Sequence, residues 1–343
     1  MKNPLAIIFN DAHLKTGNEE EVIASVTHLL KYAQSNKIQR LIFAGDLFDS
    51  RSFQRQSVLQ AFDRILTLVS LYGCKLYIIP GNHDKTIYKS FDSFLDVYRY
   101  HPSVEFFREA TTIEFDGVSI ELIPFFSDDM LIPMLEASKG ADILISHFEM
   151  AGSTHLGKVS TKTSINKKLL KKWKKTYLGH YHNHHEITKD IVHLPSLRQA
   201  NFGEDNKKGF SVLYDDLSYE LIQGLFKEFV KISININTAT LNEIRDLTEQ
   251  YRDSPNSIRF EFTGDESKLK ALDKTKFRDA GIDVKIKYKT KYNYDEQDLE
   301  LPKLEEWNTD TVKASFKQYC EDKDLDYKEG IILLEEFLNK DNE

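Results

Sequence analysis

Short apolar runs recur along the first half of the chain, at Leu5–Phe9, Leu41–Ala44, Leu76–Ile79, Ile120–Ile123 and Ile143–Ile145. Runs this brief predict strands buried on both faces, because a strand with one wet face would alternate apolar and polar residues. Between the first two runs, Val22, Ile23, Val26, Leu29, Leu30 and Ala33 recur at helical spacing. Val58, Leu59, Phe62, Ile65, Leu66 and Val69 do the same between the next two. Strand, helix, strand, helix, strand predicts an α/β core with parallel strands.

The texture changes near residue 225. Phe229–Ile236 reads as a strand, Leu241–Tyr251 as a helix, Ile258–Phe262 as a strand, Lys268–Ala280 as a helix and Val284–Tyr288 as a strand. The expected division is therefore a large domain over 1–225 and a small α+β module over 226–290. A polar linker carrying Pro302 follows over 291–308, and a pair of short amphipathic helices over 309–343. Such a pair has little core of its own, so its stripe of Val312, Phe316, Tyr319, Ile331, Leu334 and Leu338 is expected to dock on something.

Polar clusters stand where the apolar runs end: Asp11-Ala12-His13, Gly45-Asp46-Leu47-Phe48-Asp49, Gly81-Asn82-His83-Asp84, Ser146-His147 and Gly179-His180-Tyr181-His182. Ligands of parallel sheets collect at the carboxyl ends of strands, so residues distant in sequence are expected to meet there. Two neighbouring divalent cations need neutral imidazoles, an amide oxygen and a carboxylate able to touch both. One ligand set per cluster gives Asp11, His13, Asp46, Asn82, His147, His180 and His182. This mixed nitrogen and oxygen set suits Mn²⁺, Fe²⁺, Zn²⁺ or Mg²⁺, with Mn²⁺ the first choice, and no thiolate draws the site towards a soft metal.

Each cluster alone has a bland reading. Asp-x-His arises often by chance, Gly-Asp-x-x-Asp can be a capped turn, and Gly-Asn-His-Asp can be a turn in which Gly and Asn supply positive φ. Five in this order, each after an apolar run, leave little room for turns alone. Of 11 histidines, five lie in the clusters. His28, His101, His155, His184, His185 and His193 are expected on the surface or in packing, with His184 and His185 also readable as contacts to the ligands or the substrate.

Composition bounds the remainder. The 343 residues, 41% of them hydrophobic, suffice for a large core. A net charge of −8 means that contact with nucleic acid must come from local patches. Lys158–Lys175, with eight lysines and no acid, is such a patch, readable as a solvated face or as a groove for a polyanion. Cys74 and Cys320, far apart, fit a reducing cytoplasm, and no stretch approaches the ~20 apolar residues of a membrane span.

The five clusters resemble the pattern of the calcineurin-like metallophosphoesterase superfamily: D-x-H, G-D-x-x-D, G-N-H-D, a lone His and G-H-x-H. Within it, the chain is similar to the SbcD, or "Mre-eleven", type of double-strand-break nuclease subunit, including its phage recombination branch. Gly45–Asp49 as G-D-L-F-D, Pro80–Asp84, Ile123-Pro124-Phe125, Phe202-Gly203-Glu204 and Lys208-Gly209-Phe210 carry that likeness. The resemblance implies a β-sandwich flanked by helices (α-β-β-α), a small capping domain and a C-terminal helical pair. It implies that Asp11, His13 and His182 hold one metal, that Asn82, His147 and His180 hold the other, and that Asp46 bridges them. His83 stays free of metal to meet the scissile phosphate or leaving oxygen, with Asp84 orienting its ring. The chain departs from related nucleases in having Leu194-Pro195-Ser196 for Gly-Ser-Pro and Asn10 before Asp11.

By the same resemblance the substrate is DNA, cleaved as exonuclease or endonuclease in repair and recombination. The C-terminal helices would grip the coiled coil of an SbcC-like ABC ATPase, and a homodimer through the helices around Phe91–Tyr98 stays open. Two other readings stand beside this one. A small-molecule or cyclic-nucleotide phosphodiesterase would use the same metals in a narrow pocket, whereas a noncatalytic scaffold would have no need to keep every ligand.

Overall fold

A computed structural model describes residues 2–155, 158–159 and 163–288, together with Lys313, Phe316, Lys317 and Ile331. In chain order it begins with β1 (Pro4–Phe9), α1 (Glu19–Ser35), β2 (Arg40–Ala44), α2 (Gln56–Leu71), β3 (Lys75–Ile79) and β4 (Val104–Phe106). Next come β5 (Thr111–Phe115), β6 (Val118–Ile123), α3 (Asp128–Ala137), β7 (Ile143–His147) and a small hairpin of β8 (Thr154–His155) and β9 (Lys158–Val159). β10 (Lys175–Gly179), β11 (His185–Thr188), β12 (Ile191–His193), β13 (Gly209–Tyr214) and β14 (Tyr219–Gln223) complete the larger part.

These strands make two six-stranded sheets, ordered β14-β13-β1-β2-β3-β4 and β11-β12-β10-β7-β6-β5. β1, β2, β3 and β4 run parallel, as do β6, β7, β10 and β12, while β13, β14, β5 and β11 are added antiparallel. The continuous apolar runs follow from the layering. Alternate residues of β1 face opposite ways: Ile7 and Phe9 pack with Leu29, Leu30, Phe62 and Leu66 of α1 and α2, whereas Ala6 and Ile8 pack with Ile120, Ile143 and Ile145 of the second sheet. The outer face of the second sheet is covered by Leu131 and Leu135 of α3 together with Leu170 and Trp173. The result is an α-β-β-α sandwich, as the resemblance implies. Leu66, wholly buried under the first sheet, is the kind of residue whose truncation to Ala costs about 2–5 kcal/mol.

The module after the sandwich is a three-stranded parallel sheet, β15 (Phe229–Asn235), β16 (Ser257–Thr263) and β17 (Ile282–Ile286). α4 (Leu241–Gln250) starts with a capping box in which Thr240 and Glu243 bond each other's backbone amides. The helix expected over 268–280 is instead two short pieces, α5 (Glu266–Lys270) and α6 (Thr275–Arg278). Asp273 interrupts them by accepting hydrogen bonds from the Thr275 amide and hydroxyl, a local alternative to the helical ladder. Met1–Tyr288 form one compact unit and Lys289–Glu343 another. The linker at 291–308 and the helical pair at 309–343 lie outside the described residues, apart from the four helical positions named above. Among the described residues no helix is long and apolar enough to cross a membrane.

Candidate metal centre

The loops leaving β1 and β2 travel together. The Asp11 amide donates to Gly45 O (2.9 Å), His13 to Asp46 O (3.2 Å) and Leu14 to Leu47 O (2.7 Å), so the strand pairing continues past the sheet's edge. Gly45 lets the third loop in: a Cβ there would lie 2.5 Å from His147 Nδ1 and 2.8 Å from Gly81 Cα. Four of the seven candidate ligands, Asp11, His13, Asp46 and His180, have φ between 45° and 87°, in the left-handed region. Side chains there cost roughly 1–3 kcal/mol each and persist where the surroundings hold them, as functional sites do.

All seven candidate ligands meet. Asp11, His13 and His182 form one group whose ligand atoms lie within 4.8 Å of one another, Asp46, His147 and His180 form a second, and His83 comes equally close to His13 and Asp46. Asp46 Oδ2 stands between the two, 3.2 Å from His147 Nε2 and 3.8 Å from His13 Nε2. Asn82 Oδ1 is 2.9 Å from His180 Nδ1 and 3.2 Å from His147 Nε2. The rings are aimed from behind: His147 Nδ1 faces the Ala44 carbonyl at 2.8 Å and His182 Nδ1 faces Glu204 at 2.7 Å, which leaves each Nε2 lone pair for the centre.

The residues fit two divalent cations. Asp11 Oδ1 and His13 Nδ1 are buried without a hydrogen-bond partner, and the Nε2 atoms of His13 and His182 face each other at 3.0 Å, a pairing a shared cation satisfies. Burial opposes the charged forms of Asp11 and Asp46, yet the facing imidazoles, His147 foremost, hold both carboxyls well below the usual range. His147, against the pull of burial, is raised to about 9 by Asp46 and Asp11, while burial and then the charge of His147 lower His180 to about 4. The pocket thus sets carboxylates against imidazoles, side chains of the type that bind hard or borderline metals.

The donor set and its strand-end placement agree with a match over residues 6–207 to the family described as calcineurin-like phosphoesterase. This chain belongs to that family. The class is that of metal-dependent phosphoester hydrolases. Exonuclease subunit 1 of Enterobacteria phage T4 is 27% identical over 211 residues, which are 58% of this chain and 61% of that protein. Putative phosphoesterase 078R of Invertebrate iridescent virus 3 is 21% identical over 242 residues, covering 64% and 67% respectively. Among solved structures, the Pseudomonas putida nuclease MPE matches with a TM-score of 0.28 and 14% identity over 56% of this chain and 68% of that one. The chain spans about three fifths of the length of the phage relative it matches.

Within this phosphoesterase domain one expected role changes. Asp84 does not orient the His83 ring: its buried carboxylate turns inward and accepts the amides of Asp46 (2.9 Å), Leu47 (3.3 Å), Phe48 (3.0 Å) and Gly81 (2.9 Å). It ties the β2 and β3 loops together, with burial and then the Asp46 charge pushing it up to about 7. The His83 ring is held by the Asp49 carbonyl on Nδ1 (2.6 Å) and by Arg51 on Nε2 (2.8 Å). Burial lowers its pKa below the ordinary histidine value.

The pattern of clusters gave no role to several supporting residues. Asn10 donates to Asp11 Oδ2, Glu204 braces His182, and Arg51 reaches both His83 and the Tyr88 hydroxyl. Asn10 and Glu204 stand out in the sequence, the one before Asp11 and the other in Phe202-Gly203-Glu204, but their roles come only from the structure. Three lysines of the basic stretch are tied down: Lys172 donates to the Leu135 and Ser138 carbonyls, Lys174 pairs with Asp142 and Lys175 with Asp190. His193, expected on the surface or in packing, is buried between Gly179 O and Ser153 Oγ.

Proposed function

We propose that this chain is a DNA nuclease of the two-metal type, with Mn²⁺ as its working ion, acting at DNA ends in double-strand-break repair and recombination. The observation that carries the reading is the meeting of Asp11, His13, Asp46, Asn82, His147, His180 and His182 in two adjoining groups with Asp46 between them. Bound there, two divalent ions supply an activated water and neutralise phosphate charge. The chain's own part is to aim the ligands through Ala44 and Glu204 and to present His83 at the edge, its ring 4.7 Å from that of His13. With Nδ1–H given to the Asp49 carbonyl and Nε2 accepting from Arg51, His83 and Arg51 together are placed to meet the scissile phosphate, Arg51 offering a planar fork of donors for a phosphate oxygen.

DNA as substrate draws support from the phage relative, an exonuclease subunit. Its name as a subunit also supports a complex, for which the SbcC-like ABC ATPase is the proposed partner through 309–343. Exposed Val97 and Tyr100 near the 3₁₀ turn Phe94–Tyr98 suit the homodimer left open above. One observation favours a second reading: a cleft of about 280 Å³ reaches Asn82 and His180 between Arg51, Tyr88, Phe125 and Phe148, a space fit for a small phosphodiester. Mn²⁺-dependent digestion of end-labelled duplex DNA, run beside a generic aryl phosphodiester and with and without the ATPase, separates the two. Turnover of the aryl ester with intact DNA would overturn the nuclease reading.

A further inference from the structure

Glu204 is buried, and its carboxylate is fully engaged. Oε1 lies 2.7 Å from His182 Nδ1 and accepts from Asn201 Nδ2 (2.6 Å), while Oε2 accepts the Ala200 amide (3.1 Å) and sits 3.3 Å from the buried Lys208 ammonium. With Nδ1–H given to Glu204, the His182 lone pair is fixed on Nε2, which points at His13 Nε2 (3.0 Å) and Asp11 Oδ1 (3.6 Å). The loop that carries Glu204 is in turn anchored outside the sandwich. Gln199 donates to the Glu204 carbonyl (2.9 Å) and accepts the amide of Phe229, the first residue of β15 (2.9 Å). Phe202 stands edge-on to Phe229 at 4.9 Å, with the Arg259 guanidinium of β16 over its ring at 3.9 Å.

We propose that Glu204 is a positioning residue for His182, and that Gln199 and Phe202 make its placement depend on the docking of the module spanning residues 229–286. The inference rests on the reading that Asp11, His13 and His182 hold one of the two ions. A module seated as observed pins both ends of the loop, so the carboxylate meets Nδ1 and the imidazole is preorganised. A displaced module pulls on Gln199 and Phe202 first, and the slack reaches the His182 ring two bonded contacts later. The site would therefore gain and lose one ion's grip according to how the module is seated, while the His147 side, braced by Ala44 within the sandwich, stays unchanged.

The test uses the full chain, stripped of metal and titrated with Mn²⁺ by calorimetry, with ¹⁵N NMR of the histidine rings in the metal-free protein as an independent readout. Glu204→Ala is expected to weaken one ion by roughly 10- to 100-fold, leave the other at wild-type affinity, and release His182 from its single Nδ1–H tautomer. Phe202→Ala, which touches no buried charge, is expected to weaken the same ion by about 2- to 30-fold. Glu204→Gln keeps one acceptor for Nδ1–H but turns its NH2 towards the Ala200 amide and Lys208, so it should restore the single His182 tautomer and only part of the lost affinity. If Glu204→Ala fails to fold because Lys208 loses its counter-charge, Phe202→Ala decides. Wild-type affinity for both ions in the folded variants, or an equal loss at both, overturns the relay alone. A wild-type chain that takes up no pair of ions overturns the underlying site, and the relay with it.

Discussion

Replacing Gly45 by Ala tests whether the loops after β2, β3 and β7 are as closely nested as the site requires. Gly45 has φ of 93°, and its added Cβ would meet His147 Nδ1 at 2.5 Å and Gly81 Cα at 2.8 Å. Neither neighbour gives easily, since His147 is held by the Ala44 carbonyl at 2.8 Å and Gly81 presents backbone. Gly117 supplies the control, with φ of 85° and nothing within 4 Å of the corresponding Cβ. The left-handed conformation costs a residue with a Cβ roughly 1–2 kcal/mol, and this applies to both. Overpacking adds roughly 1–3 kcal/mol at Gly45 only. Gly45→Ala should therefore lose about 2–5 kcal/mol and exceed Gly117→Ala by the overpacking share. Displacing His147 on the scale of 1 Å should also cut the rate by ~10²-fold. Urea unfolding followed by circular dichroism measures the first effect, and Mn²⁺-dependent hydrolysis of an aryl phosphodiester the second. Equal destabilisation of the two variants, with Gly45→Ala fully active, would refute the nesting.

His83→Ala should keep both ions in calorimetry yet lose ~10²–10⁴-fold in DNA cleavage, and normal cleavage would remove His83 from the chemistry. Asp142 is held down to about 2, by the Lys174 bond first and then by the Ser119 amide and hydroxyl. A depressed carboxyl adds stability above its unfolded pKa of about 3.9 and loses it as pH falls through the folded value, so the gap between wild type and Asp142→Asn should be full at pH 6 and narrow below about pH 4. A gap in urea midpoints that stays constant down to pH 3 contradicts the assignment. Deleting 309–343 should abolish co-purification with the SbcC-like ATPase and leave DNA cleavage by the chain itself, whereas unchanged co-purification counts against that partnership.

The parallel part of the first sheet was legible because Leu5–Phe9 and Leu41–Ala44 are buried on both faces, and Leu76–Ile79 is too except at half-buried Tyr77, so the runs carry no charged interruption. The ligand clusters were legible for a related reason: a strand that ends in the core must expose its functional residues at its mouth. Other elements were hidden. β13 owes its place to pairing with β1 from about two hundred residues away, a non-local choice that local pattern does not encode, and β14 follows by pairing with β13. α3 carries Pro133 within its span, which weakens the helical signal, and the short β10 offers few apolar residues. Asp84 misled for a different reason. Its neighbour in sequence is His83, but a side chain after a tight turn points where the backbone sends it, and here that is towards four unpaired amides.

Counting manganese per chain tests the centre most directly. Metal-free protein titrated with Mn²⁺ should take up two ions, and Asp46→Ala should hold at most one and trim no duplex DNA. A wild-type chain saturating at a single ion, or an Asp46→Ala chain that still trims DNA ends, would contradict a centre bridged by Asp46.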